Sequence, residues 1–211
     1  MTPSSEIGSD SMNSQHPPEE EWQRLRPDAE HALRNLLSEI VDHKDPQSLF
    51  EAYTYAKDIA ARAVQSRMLR HLPAENQQFR ALHAKIRQEM RSRYQDTVPA
   101  RLLSTPYTGR THEGLFSLLQ ENLTQAVPAA MLRIVTGDHV HTERRARELR
   151  ELGFDLDWYE TEEISVYELR SLVLDFDMIP AIVRNNVRRV KSLTKDEKQR
   201  ILKNAGIPEN G

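Results

Sequence analysis

Apolar residues recur at helical spacing from residue 28 onward. Ala29, Leu33, Leu36, Leu37 and Ile40 fall at i, i+4, i+7, i+8 and i+11, the stripe that one face of an α-helix buries. The period restarts at Asp45-Pro46, a capping aspartate followed by a proline at the first helical position, where the missing N–H costs nothing. A third stripe, Phe79, Leu82, Ile86 and Met90, completes a helical N-terminal domain over residues 28–95. Residues 1–27, rich in Ser, Pro and Glu, offer too little apolar surface to offset ordering entropy and are expected to be a disordered tail. Residues 96–110 read as a linker.

Beyond the linker the pattern changes. "THEGLFSLLQENL" predicts a helix capped by Thr111, with Leu115, Leu118, Leu119 and Leu123 facing inward. Pro128 opens a second helix, "PAAMLRIV", which stops at Thr136-Gly137. "HTERRARELREL" is a third, closed by Gly153. "FDLDW" then alternates at period two, placing Phe154, Leu156 and Trp158 on one face; "YETEE" reads as a loop and "ISVYELR" as a returning strand. Three helices followed by a hairpin is the order of a winged helix-turn-helix, here over residues 111–172. The fold class expected is therefore mainly α with a small β-hairpin: a helical N-terminal domain, then a winged helix-turn-helix. Residues 173–211 form a basic C-terminal segment. Its short helix has Thr194 and Glu197 at capping-box spacing and Gly206 and Pro208 as stop signals, with only Leu193, Ile201 and Leu202 to bury.

Composition narrows the chemistry. The 211 residues contain no cysteine and only seven glycines, which removes thiolate nucleophiles and sulfur-based zinc sites. No Gly-rich phosphate loop and no Gly-x-Ser-x-Gly turn occurs. Asp138, His139 and His141 fall in one turn, and no second motif supplies a further ligand to make a metal site of them. Asp155 and Asp157 read as the outward positions of a half-buried strand, and no lysine lies between Lys85 and Lys191 to assist them. We therefore assign no catalytic residue, metal or cofactor, and whether the chain serves an enzyme stays open. No apolar run is long enough to span a membrane, and no secretion signal opens the chain; a cytoplasmic location is the default expectation.

The net charge of −3 gives no global attraction to nucleic acid, but the charge is unevenly placed. Residues 154–177 carry eight acids against Arg170, and residues 179–203 carry eight bases against Asp196 and Glu197. Placed at ~100° per residue with Leu149 at the core, the third helix turns Glu143, Arg144, Arg147 and Arg150 away from it. Arg145 falls on the flank, within reach of Glu148 or Glu151. In a helix-turn-helix that outer face is the one offered to the major groove. Arg144 and Arg147 suit bidentate contacts to guanine and Arg150 suits phosphate. His141 and Thr142 at the helix start, and Arg184, Arg188, Arg189 and Lys191 in the basic tail, complete the candidate contact set. The same charges could instead be an ordinary solvated helix with i,i+3 and i,i+4 pairs.

The run "RIVTGDHVHTERRARELRELGFDLDW", followed by "YELRS", resembles the winged-helix module of bacterial HNH-type restriction endonucleases through Arg144, Arg145, Arg147, Glu148, Leu149, Arg150, Gly153 and Phe154. The resemblance covers residues 111–172. It implies double-stranded DNA as partner, with a nuclease module or subunit as a further candidate partner. "VRNNVRRVKSLTKDEKQRILKNAG" is similar to the lead-in to such a nuclease, but HNH residues are absent, so the resemblance implies recognition without cleavage. Either the chain is the target-recognition part of a restriction system or it is a stand-alone binder of the same build. A transcription regulator and a helical protein-interaction module are the alternatives. The acidic residues Glu160, Glu162 and Glu163 at the wing would repel phosphates and favour a protein contact there. A homodimer through the helical N-terminal domain is a further candidate, and Arg87, Arg91 and Arg93 could add DNA contacts.

Overall fold

A computed structural model describes residues 18–42, 45–73, 75–137 and 142–209. Among these the chain is mainly helical, with eight α-helices and a three-stranded antiparallel sheet. The helices α1 (Pro18–Val41) and α2 (Pro46–Leu69) pack along one another. Asp45 caps α2 as its sequence predicts, accepting from the backbone N–H groups of Gln47 and Ser48 at 3.0 and 3.2 Å. The seam between the two helices holds Leu25, Ala29, Ala32, Ala56, Ile59 and Ala63. Helix α1 starts at Pro18, ten residues before the expected start, and carries Pro27 in its interior. Packing of Leu25 against α2 outweighs the local penalty of the proline. The expected tail is thus corrected for residues 18–27, and its first seventeen residues lie outside the described ones.

Helix α3 (Gln77–Tyr94) belongs elsewhere. Phe79, Leu82, Ile86 and Met90 share one core with every later element, and none of them joins the α1–α2 cluster. The expected three-helix domain over 28–95 is therefore corrected: two helices stand apart and the third is a wall of the main body. The Phe79 ring lies 5.2 Å from Phe116 and 6.4 Å from Phe154, and those two lie 5.2 Å apart. This triad ties α3 to the body's centre. A polar joint adds to it. The Asn76 backbone N–H donates to Glu113 at 2.7 Å, and its side-chain nitrogen donates to Ser117 and Gln120 at 2.9 and 2.7 Å.

The expected linker is also core. Val98, Leu102 and Leu103 are buried around a single 3-10 turn, and Asn186 donates to the carbonyls of Leu102 and Ser104. Then follow α4 (Arg110–Glu121), β1 (Val127–Pro128), α5 (Ala129–Val135), α6 (Thr142–Glu151), β2 (Asp155–Thr161) and β3 (Ile164–Ser171). The sheet order is β1-β3-β2, with Val127 opposite Tyr167 and Trp158 also opposite Tyr167. Pro128 sits on the edge strand β1, where its missing N–H breaks no ladder. The cap of α4 is Gly109, two residues before the expected Thr111. Tyr159, Glu160 and Thr161 pair with β3, so the expected five-residue loop shrinks to a two-residue turn at Glu162-Glu163.

Gly153 ends α6 at φ +89°, and a Cβ there would sit 2.4 Å from the Asp175 carbonyl oxygen. The Asp175 N–H donates to the Gly153 carbonyl at 2.8 Å. Only glycine admits both that φ and that approach. The last segment holds two helices, α7 (Ile179–Arg189) and α8 (Lys195–Asn204). Ile179, Ile182, Val183 and Val187 bury one face of α7, and Leu202 and Ile207 anchor the end of the chain in the same core. The Thr194–Glu197 capping box forms as its spacing predicts. Among the described residues no helix is long and apolar enough to cross a membrane.

Candidate nucleic-acid interface

Helix α6 buries Thr142, Ala146, Glu148 and Leu149 and exposes Glu143, Arg144, Arg147 and Arg150. The arginine face anticipated from helical spacing is therefore outward. Its support comes from a residue that spacing alone assigns to an ordinary surface pair. Glu148 is only 3% exposed. It accepts from Arg144 Nε at 3.0 Å and from Arg145 Nη1 at 2.8 Å, and His112 Nε2 of α4 lies 2.8 Å away. Burial pushes the Glu148 carboxyl up, but the bonds from Arg145, His112 and Arg144 outweigh it and hold the group below its ordinary range. For His112, burial dominates over the Glu148 contact and lowers the imidazole, so a neutral ring donates to a charged carboxylate.

This arrangement orients the outer arginines. Arg144 is held through Nε, and its exposed guanidinium makes no bond through its two terminal nitrogens among the described residues. Arg147 and Arg150 make no ion pair or hydrogen bond among the described residues. Beside them, Arg133 of α5 bonds Glu143 at 2.6 Å, which ties α5 to the start of α6. Between α6 and the sheet lies a depression of about 340 Å³, lined by Arg133, Arg144, Arg147 and Arg150 together with Glu143, and with Trp158 and Tyr167 as its aromatic wall. Trp158 shares the face of Leu156 as expected but is 46% exposed, although its cross-strand partner Tyr167 is buried in the core.

The remaining candidates divide. Thr142 is corrected: it is buried, with its hydroxyl 2.9 Å from that of Thr136, and it has no surface to offer a base. His141 lies outside the described residues, as do Asp138 and His139. In α7, Arg184 donates to the Pro208 carbonyl at 3.3 Å and Arg188 donates to the Glu209 carbonyl, so both hold the end of the chain against the helix. Arg189 donates to the Tyr107 hydroxyl, with its guanidinium 5.1 Å from the ring centre. The same hydroxyl donates to Glu151 at 2.6 Å, so Tyr107 joins the ends of α6 and α7. Lys191 alone of the four basic-tail residues is exposed with no such bond. Of the α3 cations, Arg93 is taken up by Glu89 and the Phe176 carbonyl.

His112, Tyr107 and exposed Arg110, all at the start of α4, were not singled out by sequence. The partners of His112 and Tyr107 lie 36 to 82 residues away, beyond any periodicity. On the other sheet face Asp157 pairs with Arg170. Among the described residues no cluster of three His, Cys, Asp or Glu side chains could hold a metal ion. The arrangement can bind an anion or a polar edge through outward guanidinium groups, and it has no nucleophile or acid–base pair among them. Compared with known proteins, the chain matches no family model, no curated protein and no solved structure.

Proposed function

We propose that residues 111–172 form a winged helix-turn-helix that binds double-stranded DNA, with α6 as the reading helix. The order helix, short strand, two helices and hairpin, with the first strand added to the hairpin's β3 edge, supports this reading. The observation that carries it is the outer face of α6: Arg147 and Arg150 unpaired, and Arg144 held through Nε with its fork free. A solvated helix gains by pairing such charges with its own glutamates. Here Arg144 and Arg145 share the buried Glu148 and Glu143 is drawn to Arg133, which leaves Arg147 and Arg150 without a glutamate among the described residues. Arg144 and Arg147 are assigned to guanine edges and Arg150 and Lys191 to phosphate.

The resemblance of residues 111–172 to the recognition module of HNH-type restriction endonucleases favours a target-recognition role, with cleavage supplied by a nuclease module or partner subunit. A transcription regulator of the same fold would use the same face. The acidic hairpin tip favours a protein contact at the wing, since Glu160, Glu162 and Glu163 are exposed there beside exposed Ile164. Self-association through the N-terminal helices is a separate proposal, carried by its own face of the molecule.

Binding curves at several salt concentrations, on a selected duplex and a scrambled one, test the reading. Arg144→Ala and Arg147→Ala should each cost about 1–3 kcal/mol on the selected duplex and relax base preference. Lys191→Ala should weaken both duplexes alike and reduce the salt slope by roughly one unit. Arginine variants that bind both duplexes like the parent would overturn DNA reading by α6 and leave the protein-interaction alternative.

A further inference from the structure

The hairpin of α1 and α2 is apolar on a side that its own seam does not use. The seam is built mainly from alanines, with Leu25 and Ile59. At ~100° per residue, Leu33, Leu37 and Ile40 of α1 lie about a quarter-turn from it, and so do Tyr53 and Val64 of α2. The short connection at residues 42–45 makes the helices antiparallel, so both quarter-turns lead to the same flank of the hairpin. Phe50 borders this flank, and all six side chains are 43–62% exposed. The opposite flank carries Arg24, Asp28 and Asn35 on α1 and Glu51, Asp58 and Arg62 on α2, all exposed, with Tyr55 the one large aromatic side chain exposed among them. A hairpin meant for water on both sides would be polar on both.

We propose that the apolar flank is the contact with a second copy of this chain, two hairpins closing into a four-helix bundle. The inference stands apart from the DNA reading. The six side chains expose roughly 700 Å², close to the ~800 Å² that each partner of a standard interface contributes and above the patch usual for a monomer. The border of the flank carries both signs, with Glu30 and Arg34 on α1 and Lys57 on α2. A border of mixed sign does not repel its own copy, which suits a two-fold contact, where one surface must complement itself. A different partner protein would be under no such constraint.

Sedimentation velocity of the full chain, from sub-micromolar to high micromolar concentration, should show reversible assembly to twice the chain mass. The double variant Leu37→Glu/Tyr53→Glu should raise the assembly midpoint about a hundredfold or more, with helix content by circular dichroism unchanged, and Asn35→Glu on the polar flank should leave the midpoint where it is. As a check independent of the charged variant's folding, Leu37→Cys in this cysteine-free sequence should be linked to covalent dimer by a short bis-maleimide, and Asn35→Cys should not. A parent that stays monomeric throughout, a dimer that survives the double variant, or equal linking at both cysteines would each overturn the proposal.

Discussion

His83 is a polar ring in an apolar place. It is 4% exposed, its centroid lies 4.2 Å from that of Phe79, and neither ring nitrogen has a hydrogen-bond partner. Burial, with lesser contributions from His112 and Arg87, lowers it from 6.5 to about 4. Since the folded value lies below the unfolded one, the unfolded chain binds more protons between them. The stability associated with the neutral ring is therefore complete above pH 6.5 and is lost as pH falls towards 4. A shift of this size corresponds to on the order of 3 kcal/mol. His112 shifts in the same direction and adds to the slope. We expect urea midpoints to fall across that window and the fall to be shallower in His83→Leu, which loses no side-chain hydrogen bond and should match or exceed the parent at neutral pH. A His83→Leu profile parallel to the parent's would show that other groups set the acid response. Glu148 works oppositely in kind: its charged form is the favoured one, so it adds stability above its ordinary value and loses it only in stronger acid.

Among the elements, the β2–β3 hairpin joins α1 as one whose local sequence disagrees with its conformation. Thr161 pairs with Ile164, leaving Glu162 and Glu163 as a two-residue turn with φ of 49° and 66°. Two successive positive φ values are the signature of a type I′ turn, which prefers Asn-Gly. Side chains with a Cβ resist that region, and two adjacent carboxylates repel one another. Strand pairing on both sides nevertheless holds the turn, with the Tyr159 hydroxyl donating to Glu168 at 2.9 Å and Arg170 bonding Asp157. Glu162→Asn with Glu163→Gly should stabilise the protein by about 1 kcal/mol, read as a raised thermal midpoint. An unchanged or lowered midpoint would mean that the glutamates gain something in the folded state that the hairpin contacts do not reveal. Keeping a strained, acidic tip is consistent with the proposed protein contact at the wing.

At the scale of the whole molecule there are two cores of unequal size. The main one joins α3 to every later element around Phe79, Phe116 and Phe154, and the smaller one is the alanine seam of α1 and α2. The two bodies meet through the end of α2, where Gln65 donates to the Val135 carbonyl at 2.9 Å and Met68 and Leu69 lie against the main core. Alanines bury little area each, so the hairpin gains less from its own seam than the body gains from its aromatic centre. In hydrogen exchange on dilute protein, α1 and most of α2 should open at a lower free energy than α3, α4 and β3. Equal protection throughout would show that the hairpin unfolds only with the body.

Some of this architecture follows from neighbours along the chain. The caps at Asp45 and Thr194, the left-handed glycine after α6, and the outward face of its arginines depend on offsets of three or four residues, which helical geometry alone converts into position. So does the alternation that makes Leu156 and Leu169 inward partners. Other features depend on what packs against what. Leu33, Leu37 and Ile40 show the helical period of a core stripe, yet they are exposed because the small residues Ala29 and Ala32 permit the closest approach to α2 and take the seam instead. Helix α3 carries the same kind of stripe as its predecessors, and only the fit of Phe79 against Phe116 and Phe154 assigns it to the other core. Periodicity reports that a face is apolar and carries no information about which apolar face will meet it. The same limit governs the candidate site: spacing places the arginines and the Arg145–Glu148 pair, but the bond from His112 that helps keep Glu148 charged beneath them is tertiary, because it reaches the buried carboxylate from α4, 36 residues away.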